Sequence, residues 1–141
     1  MIIPPRSPFG LIQEDFFPDK WKILIVCMML NCTSRKQVEK VLPSFFKKWP
    51  TPQSFMDASL DDVMESSRSL GFANRRAQNM IRMTERFLAS NWDDVRELPG
   101  VGKYAARSFE IFCLNKLGSE PPIDHALVKY YEWAKFQGTN K

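Results

Sequence analysis

Between Trp21 and Leu30 the chain reads Trp-Lys-Ile-Leu-Ile-Val-Cys-Met-Met-Leu, interrupted by the single charge of Lys22. Asp19 just ahead of it can cap a helix. A helix that is apolar on nearly every side has no face to give to water, so other elements must surround it. It is far shorter than the roughly 20 apolar residues a membrane span needs. The spacing therefore predicts a helix at the buried centre of a domain. At 141 residues and 44% hydrophobic composition, the chain can build one such core.

The surrounding sequence supplies helices and no convincing strand. Ser34 with Gln37 is a capping box ahead of the apolar stripe Val38, Val41, Leu42, Phe45, Phe46 and Trp49, which Pro50 helps to end. Thr51-Pro52 reads as an N-cap and first-turn proline. Ser59 with Asp62 opens a helix ending before Gly71, and a longer one runs to about Leu88 with Ala77, Met80, Ile81, Thr84, Phe87 and Leu88 inward. Asp93 to Glu97 predicts a helical turn. Lys103 to Leu117 predicts a helix with Ala105, Ala106, Phe109, Phe112 and Cys113 inside, closed by Gly118. Asp124 to about Phe136 forms the last helix, on Leu127, Val128, Tyr131 and Trp133. The fold class is all-α, with residues 1–8 a flexible lead-in, 9–137 the domain and 138–141 a tail.

A net charge of +4 and a pI near 9.1 suit a phosphate-bearing partner better than a cationic one. Cys27, Cys32 and Cys113 cannot all pair, so a reducing context fits better than a disulfide framework. With His125 the only histidine and no four-cysteine cluster, a structural zinc site, an iron–sulfur cluster and a Ser-His-Asp triad are not expected. Without a secretory signal or a membrane span, the expected location is the nucleus in a eukaryote and the cytoplasm otherwise, not the secreted fraction.

Chemistry is concentrated near the C-terminal end. Leu98-Pro99-Gly100-Val101-Gly102-Lys103 places two glycines one residue apart at the entrance to a helix. Such a hairpin leaves backbone N–H groups at a helix start, where the dipole favours an anion. In a basic chain the expected anion is a nucleic-acid phosphate, with Lys103, Arg107 and Lys129 adding charge. One helix further on, after Pro121-Pro122-Ile123, stands Asp124-His125. Read alone, Asp124 is an N-cap and the hairpin an ordinary turn between helices. Read together, they are a phosphate grip and an ionised carboxylate that can act on the gripped molecule.

These residues resemble the helix-hairpin-helix (HhH-GPD) DNA glycosylase superfamily. Leu98-Pro-Gly-Val-Gly-Lys-Tyr104 with Ile123-Asp124-His125 is similar to its hairpin and essential aspartate. The likeness extends over roughly Phe9 to Trp133. Leu11-Ile12-Gln13-Glu14, Trp21 to Ile25, Leu30-Asn31-Cys32-Thr33-Ser34, Leu70-Gly71-Phe72, Ile111-Phe112-Cys113 and Lys129-Tyr130 resemble the catalytic domain of the methyl-CpG-binding thymine/uracil mismatch glycosylases.

The resemblance implies two helical lobes with a cleft between them and an enzyme of base excision repair. It implies that Asp124 is the catalytic carboxylate and that Tyr104 stands in the base pocket, where bifunctional relatives carry a Schiff-base lysine. Leu11, Ile12 and Gln13 line that pocket, Gln13 bonding the flipped pyrimidine. Phe72 is the wedge that fills the vacated stack, and Asn31 and Cys32 press on the opposite strand or the orphaned guanine. Gly100, Gly102, Lys103 and His125 hold phosphates. No cofactor is required and no iron–sulfur cluster is expected; the carbonyls of Leu98 and Val101 can hold a sodium or potassium ion. The expected partner is double-stranded DNA with a mismatched or damaged base, bound by a monomer. Two positions depart from the mismatch enzymes, Cys32 replacing a usual arginine and Ala126 a usual lysine. The first weakens the expectation of strict opposite-base specificity.

The implied chemistry is physically coherent. A stacked base must be flipped out before its glycosidic bond can be reached, at a cost of a few kcal/mol. Wedge, grip and pocket offset that cost. Bond breakage leaves positive charge on the sugar, which Asp124 can stabilise directly or meet by activating water. A lyase step needs an amine that position 104 lacks, so hydrolysis alone is expected. The alternatives are removal of another damaged base on the same fold, or a non-catalytic helix-hairpin-helix module that only binds the DNA backbone. Tyr104 and Phe72 also admit plain packing roles, Phe72 as a hydrophobic staple of the next helix.

Overall fold

A computed structural model describes residues 11–31, 33–114 and 129–134 of the chain. Among them there is no strand. A short helix that the sequence pattern does not single out, α1 (Ile12–Phe16), comes first. Polar caps then open helices where the sequence predicts them, each contributing about 1 kcal/mol. Asp19 Oδ1 accepts the Lys22 amide at 2.9 Å and starts α2 (Lys20–Leu30). Ser34 Oγ accepts the Gln37 amide at 3.3 Å, and Gln37 Oε1 accepts the Ser34 amide in return, starting α3 (Arg35–Lys48). Thr51 caps α4 (Pro52–Phe55), and Ser59 caps α5 (Leu60–Ser66).

Two boundaries and one buried face differ from the sequence expectation. α5 stops at Ser66, and a separate 3-10 turn, Arg68–Leu70, covers the rest of the way to Gly71. α6 (Ala73–Ala89) buries Arg76 and Met83 as well as Ala77, Met80 and Thr84, while Ile81, Phe87 and Leu88 are only half-buried. Its inner stripe thus runs through Arg76, Met80 and Met83, and Phe87 turns sideways to stack near Trp92, ring centroids 5.8 Å apart. After a 3-10 turn at Val95–Glu97 and the glycine hairpin, α7 runs over Lys103–Cys113 with Leu114 as its C-cap, short of the expected Leu117. Residues 129–134 are helical, and 115–128 lie outside the described residues.

The core explains why α2 is apolar all round. One side of it gives Trp21, Leu24, Ile25 and Met29 to a cluster completed by Val38 and Phe45 of α3, Phe55, Val63, and Met80 and Met83 of α6. The other side gives Ile23 and Cys27, one turn apart, to a second cluster with Leu11, Ala105, Ile111, Phe112, Tyr130 and Ala134. An 11-residue helix is marginal in isolation. Its stability here comes from burial, at about 1.5–3 kcal/mol for each large apolar side chain. Trp21 adds a polar link to that wall, its Nε1 donating to Thr84 Oγ1 at 2.9 Å.

Candidate active site

The second cluster encloses one polar island. Gln13 on α1 is only 1% exposed, and its Nε2 donates to Tyr104 Oη at 2.6 Å and to Ser108 Oγ at 3.1 Å, close to Cys27 Sγ. Tyr104 and Ser108 are four residues apart and share one face of α7. The start of α1 is held by Glu14, whose Oε2 accepts the Leu11 amide at 2.6 Å. The structure thus brings Leu11, Gln13 and Tyr104 into one cluster from segments far apart in sequence. It does not bring Ile12 there. Ile12 packs in the first cluster and lines a cavity of about 320 Å³ with Asp15, Phe16, Arg35, Leu42 and Phe46, which neither Gln13 nor Tyr104 lines. Two groups flanking it, Tyr130 and Cys113, stay neutral at ordinary pH. Burial, and then the charge of Glu14, push the Tyr130 phenol up. Burial pushes the Cys113 thiol up to about 12, which makes it no nucleophile at neutral pH.

The hairpin uses its two glycines for different reasons. Gly100 has φ 76°, and a Cβ there would lie 2.8 Å from Met28 Cε and 3.0 Å from Asn79 Cβ, so both conformation and packing demand glycine. Gly102 has φ −89°, and an added Cβ would meet nothing within 4 Å. It stands at the start of α7, which no side chain caps. Open space in front of uncapped amides is what close approach of an anion requires. The hairpin is braced from behind. Glu97 Oε2 accepts the Asp94 and Asp93 amides at 2.8 and 2.9 Å, which holds its carboxyl below the usual carboxylate range. Arg96 reaches Glu110 on α7 at 2.6 Å.

These facts separate two alanine variants. Gly100→Ala is expected to lose about 1–3 kcal/mol of stability, through its positive φ and the clash with Met28. Gly102→Ala is expected to melt like wild type and bind duplex DNA several-fold more weakly. Thermal melts and fluorescence anisotropy check the pair; equal melting of both variants contradicts the assignment.

Phe72 is 74% exposed and left-handed, φ 49° and ψ 41°, at the first turn of α6. A staple would be buried; this ring projects into solvent. A bulky residue in that conformation is strained by about 1–2 kcal/mol. Asn31 is exposed at the end of α2. Lys103 and Lys129 are exposed, whereas Arg107 is taken up internally, 3.7 Å from Glu110 and 5.6 Å over the Tyr131 ring. The Leu98 carbonyl accepts the Val101 amide at 3.2 Å, leaving a second lone pair for a cation. Among the described residues no group of His, Cys, Asp and Glu could hold a metal. Cys32, Asp124, His125 and Ala126 lie outside the described residues.

Three residues at these places escape the sequence pattern. Ser108 could have been found from its spacing, one turn after Tyr104. Arg76 falls on the stripe of Met80 and Met83, where a charge signals a buried partner. Glu14 gives no such signal, since α1 is too short for a period to show.

Residues 25–135 match the HhH-GPD superfamily of base excision DNA repair proteins. The chain belongs to this superfamily. The methyl-CpG-binding domain protein 4-like protein of Arabidopsis thaliana is 33% identical over 135 residues, covering 96% of this chain and 30% of that protein. The thymine-DNA glycosylase of Aeropyrum pernix is 30% identical over 121 residues, covering 81% of this chain and 53% of that protein. The chain therefore spans between about a third and a half of the length of these relatives. A solved thermostable thymine-DNA glycosylase covers 82% of this chain with a TM-score of 0.67 at 20% identity, so the HhH-GPD fold is shared. Within that fold the helix-hairpin-helix is formed by the 3-10 turn at Val95–Glu97, the Gly100–Gly102 turn and α7.

Proposed function

We propose that this chain is a monofunctional DNA glycosylase that flips thymine or uracil out of G·T and G·U mismatches and hydrolyses the N-glycosyl bond with Asp124. The observation that carries this reading is the 2.6 Å hydrogen bond between Gln13 and Tyr104. It puts the two residues implied for the base pocket together, in the first turn of the helix that the glycine hairpin starts. A buried amide among apolar side chains can recognise the polar edge of a pyrimidine, and its own hydrogen bonds fix which way it faces.

The steps follow from the parts. The amides at the start of α7 and the Lys103 charge hold a phosphate and set the register without reading sequence. Phe72, exposed and held rigidly, enters the stack as the target base leaves. Gln13 and Tyr104 receive the flipped base. Asp124 supplies the carboxylate that meets the positive charge developing on the sugar, and either stabilises it or activates water. Position 104 carries a phenol instead of an amine, which supports hydrolysis without strand cleavage. The thymine-DNA glycosylases among the relatives support the choice of base. No cofactor enters these steps, and a monovalent ion on the Leu98 and Val101 carbonyls would only stiffen the hairpin.

The test is a panel of duplexes varying both the excised base and its partner. Free thymine and uracil are expected from mismatches with guanine, and borohydride is expected to trap no covalent adduct. Release of adenine or an oxidised base alone would favour a different lesion, and release of nothing would favour a DNA-binding module.

A further inference from the structure

We propose that Arg76 is a positioning residue that locks the Asn31 turn and the Phe72 side chain into a single rigid probe of the duplex, an inference that rests on the glycosylase reading above. Arg76 is 8% exposed. Its guanidinium donates to carbonyls on two separate loops. Nη1 reaches Met28 at 2.7 Å, Asn31 at 3.1 Å and Met29 at 3.2 Å, all at the end of α2. Nε reaches Gly71 at 3.2 Å and Nη2 reaches Leu70 at 3.4 Å, in the segment that delivers Phe72. The Arg76 amide also donates to the Phe72 carbonyl at 2.8 Å.

The chemistry suits this residue and no other. The last carbonyls of a helix have no partner within it, and they form the negative end of its dipole. A guanidinium satisfies several of them at once and is stabilised by that dipole. Its planar fork spans two loops, whereas a lysine ammonium is a single point that cannot. Phe72 needs such bracing, because a strained left-handed conformation persists only where the surroundings over-determine it. Met28, whose carbonyl Arg76 holds, also packs against Gly100. The wedge, the opposite-strand turn and the phosphate hairpin are therefore all referenced to the same end of α2.

The experiment measures single-turnover base release at saturating enzyme on a G·T duplex, alongside affinity for the same duplex. Arg76→Lys is expected to lower the maximal rate about tenfold and to leave affinity within about twofold, because the phosphate contacts are untouched. In a Phe72→Ala background the same substitution is expected to cost less than about twofold, since there is no wedge left to position. An equal factor in both backgrounds, or a rate that falls only in step with affinity and melting temperature, overturns the proposal. Should Arg76→Lys fail to fold, the exposed pair Asn31→Gly and Phe72→Ala carries the same question: coupled effects support a single probe, and effects that simply multiply overturn it. A wild-type chain releasing neither thymine nor uracil from any duplex would overturn the glycosylase reading, and this proposal with it.

Discussion

Asp124→Asn is expected to abolish detectable turnover, lowering single-turnover base release by about 10³-fold, equivalent to about 4 kcal/mol of transition-state stabilisation. Asparagine keeps the shape and removes the charge, so the loss reports electrostatics. Both roles open to the carboxylate require it ionised: directly opposing the positive charge on the sugar, or taking a proton from water. Binding should survive, since on the proposed reading the affinity comes mostly from phosphate contacts that the substitution leaves in place. The check is release of free base from a G·T duplex by a variant whose melting temperature and duplex affinity match wild type. An asparagine variant that turns over normally would remove Asp124 from the chemistry.

Gln13→Leu is expected to slow release about a hundredfold and to blur discrimination among bases. Leucine fills a comparable volume, so no large cavity opens. What disappears is the Nε2 that bonds Tyr104 and Ser108, together with the amide that the proposed function assigns to the flipped base. Losing a partner in a buried site costs about 1–3 kcal/mol, so some stability is lost too. Ser108→Ala separates the two effects, because it loosens the amide without deleting it and should slow release less. Measuring rates on thymine, uracil and a modified pyrimidine in one duplex context completes the check. A Gln13→Leu rate within about twofold of wild type would take this amide out of the base pocket.

Much of the fold was legible because its signals are local. Asp19, Ser34, Thr51 and Ser59 each bond an amide three residues on, and those contacts depend on nothing distant. The all-round apolar character of α2 likewise announced a buried position before any partner was known. The glycine hairpin was legible for the same reason. Ile12 shows where local reasoning stops: its neighbours Leu11 and Gln13 belong to the second cluster, while one residue of helical rotation carries Ile12 into the first. No period can be read from a five-residue helix.

Arg76 marks the same boundary more sharply. Its spacing to Met80 and Met83 hints that Arg76 turns inward while Arg75 is exposed, but only the packing of α6 against the end of α2 decides which carbonyls it meets. By itself the sequence determined helix starts, the central helix, the glycine turn and the membership implied by its motifs, because short-range hydrogen bonding and hydrophobic period encode them. Tertiary structure alone decided that Gln13 meets Tyr104, that the Phe72 ring stands in solvent and that one guanidinium joins two loops. Those are contacts between segments tens of residues apart, and their geometry is set by how helices pack and not by any residue's neighbours in the chain.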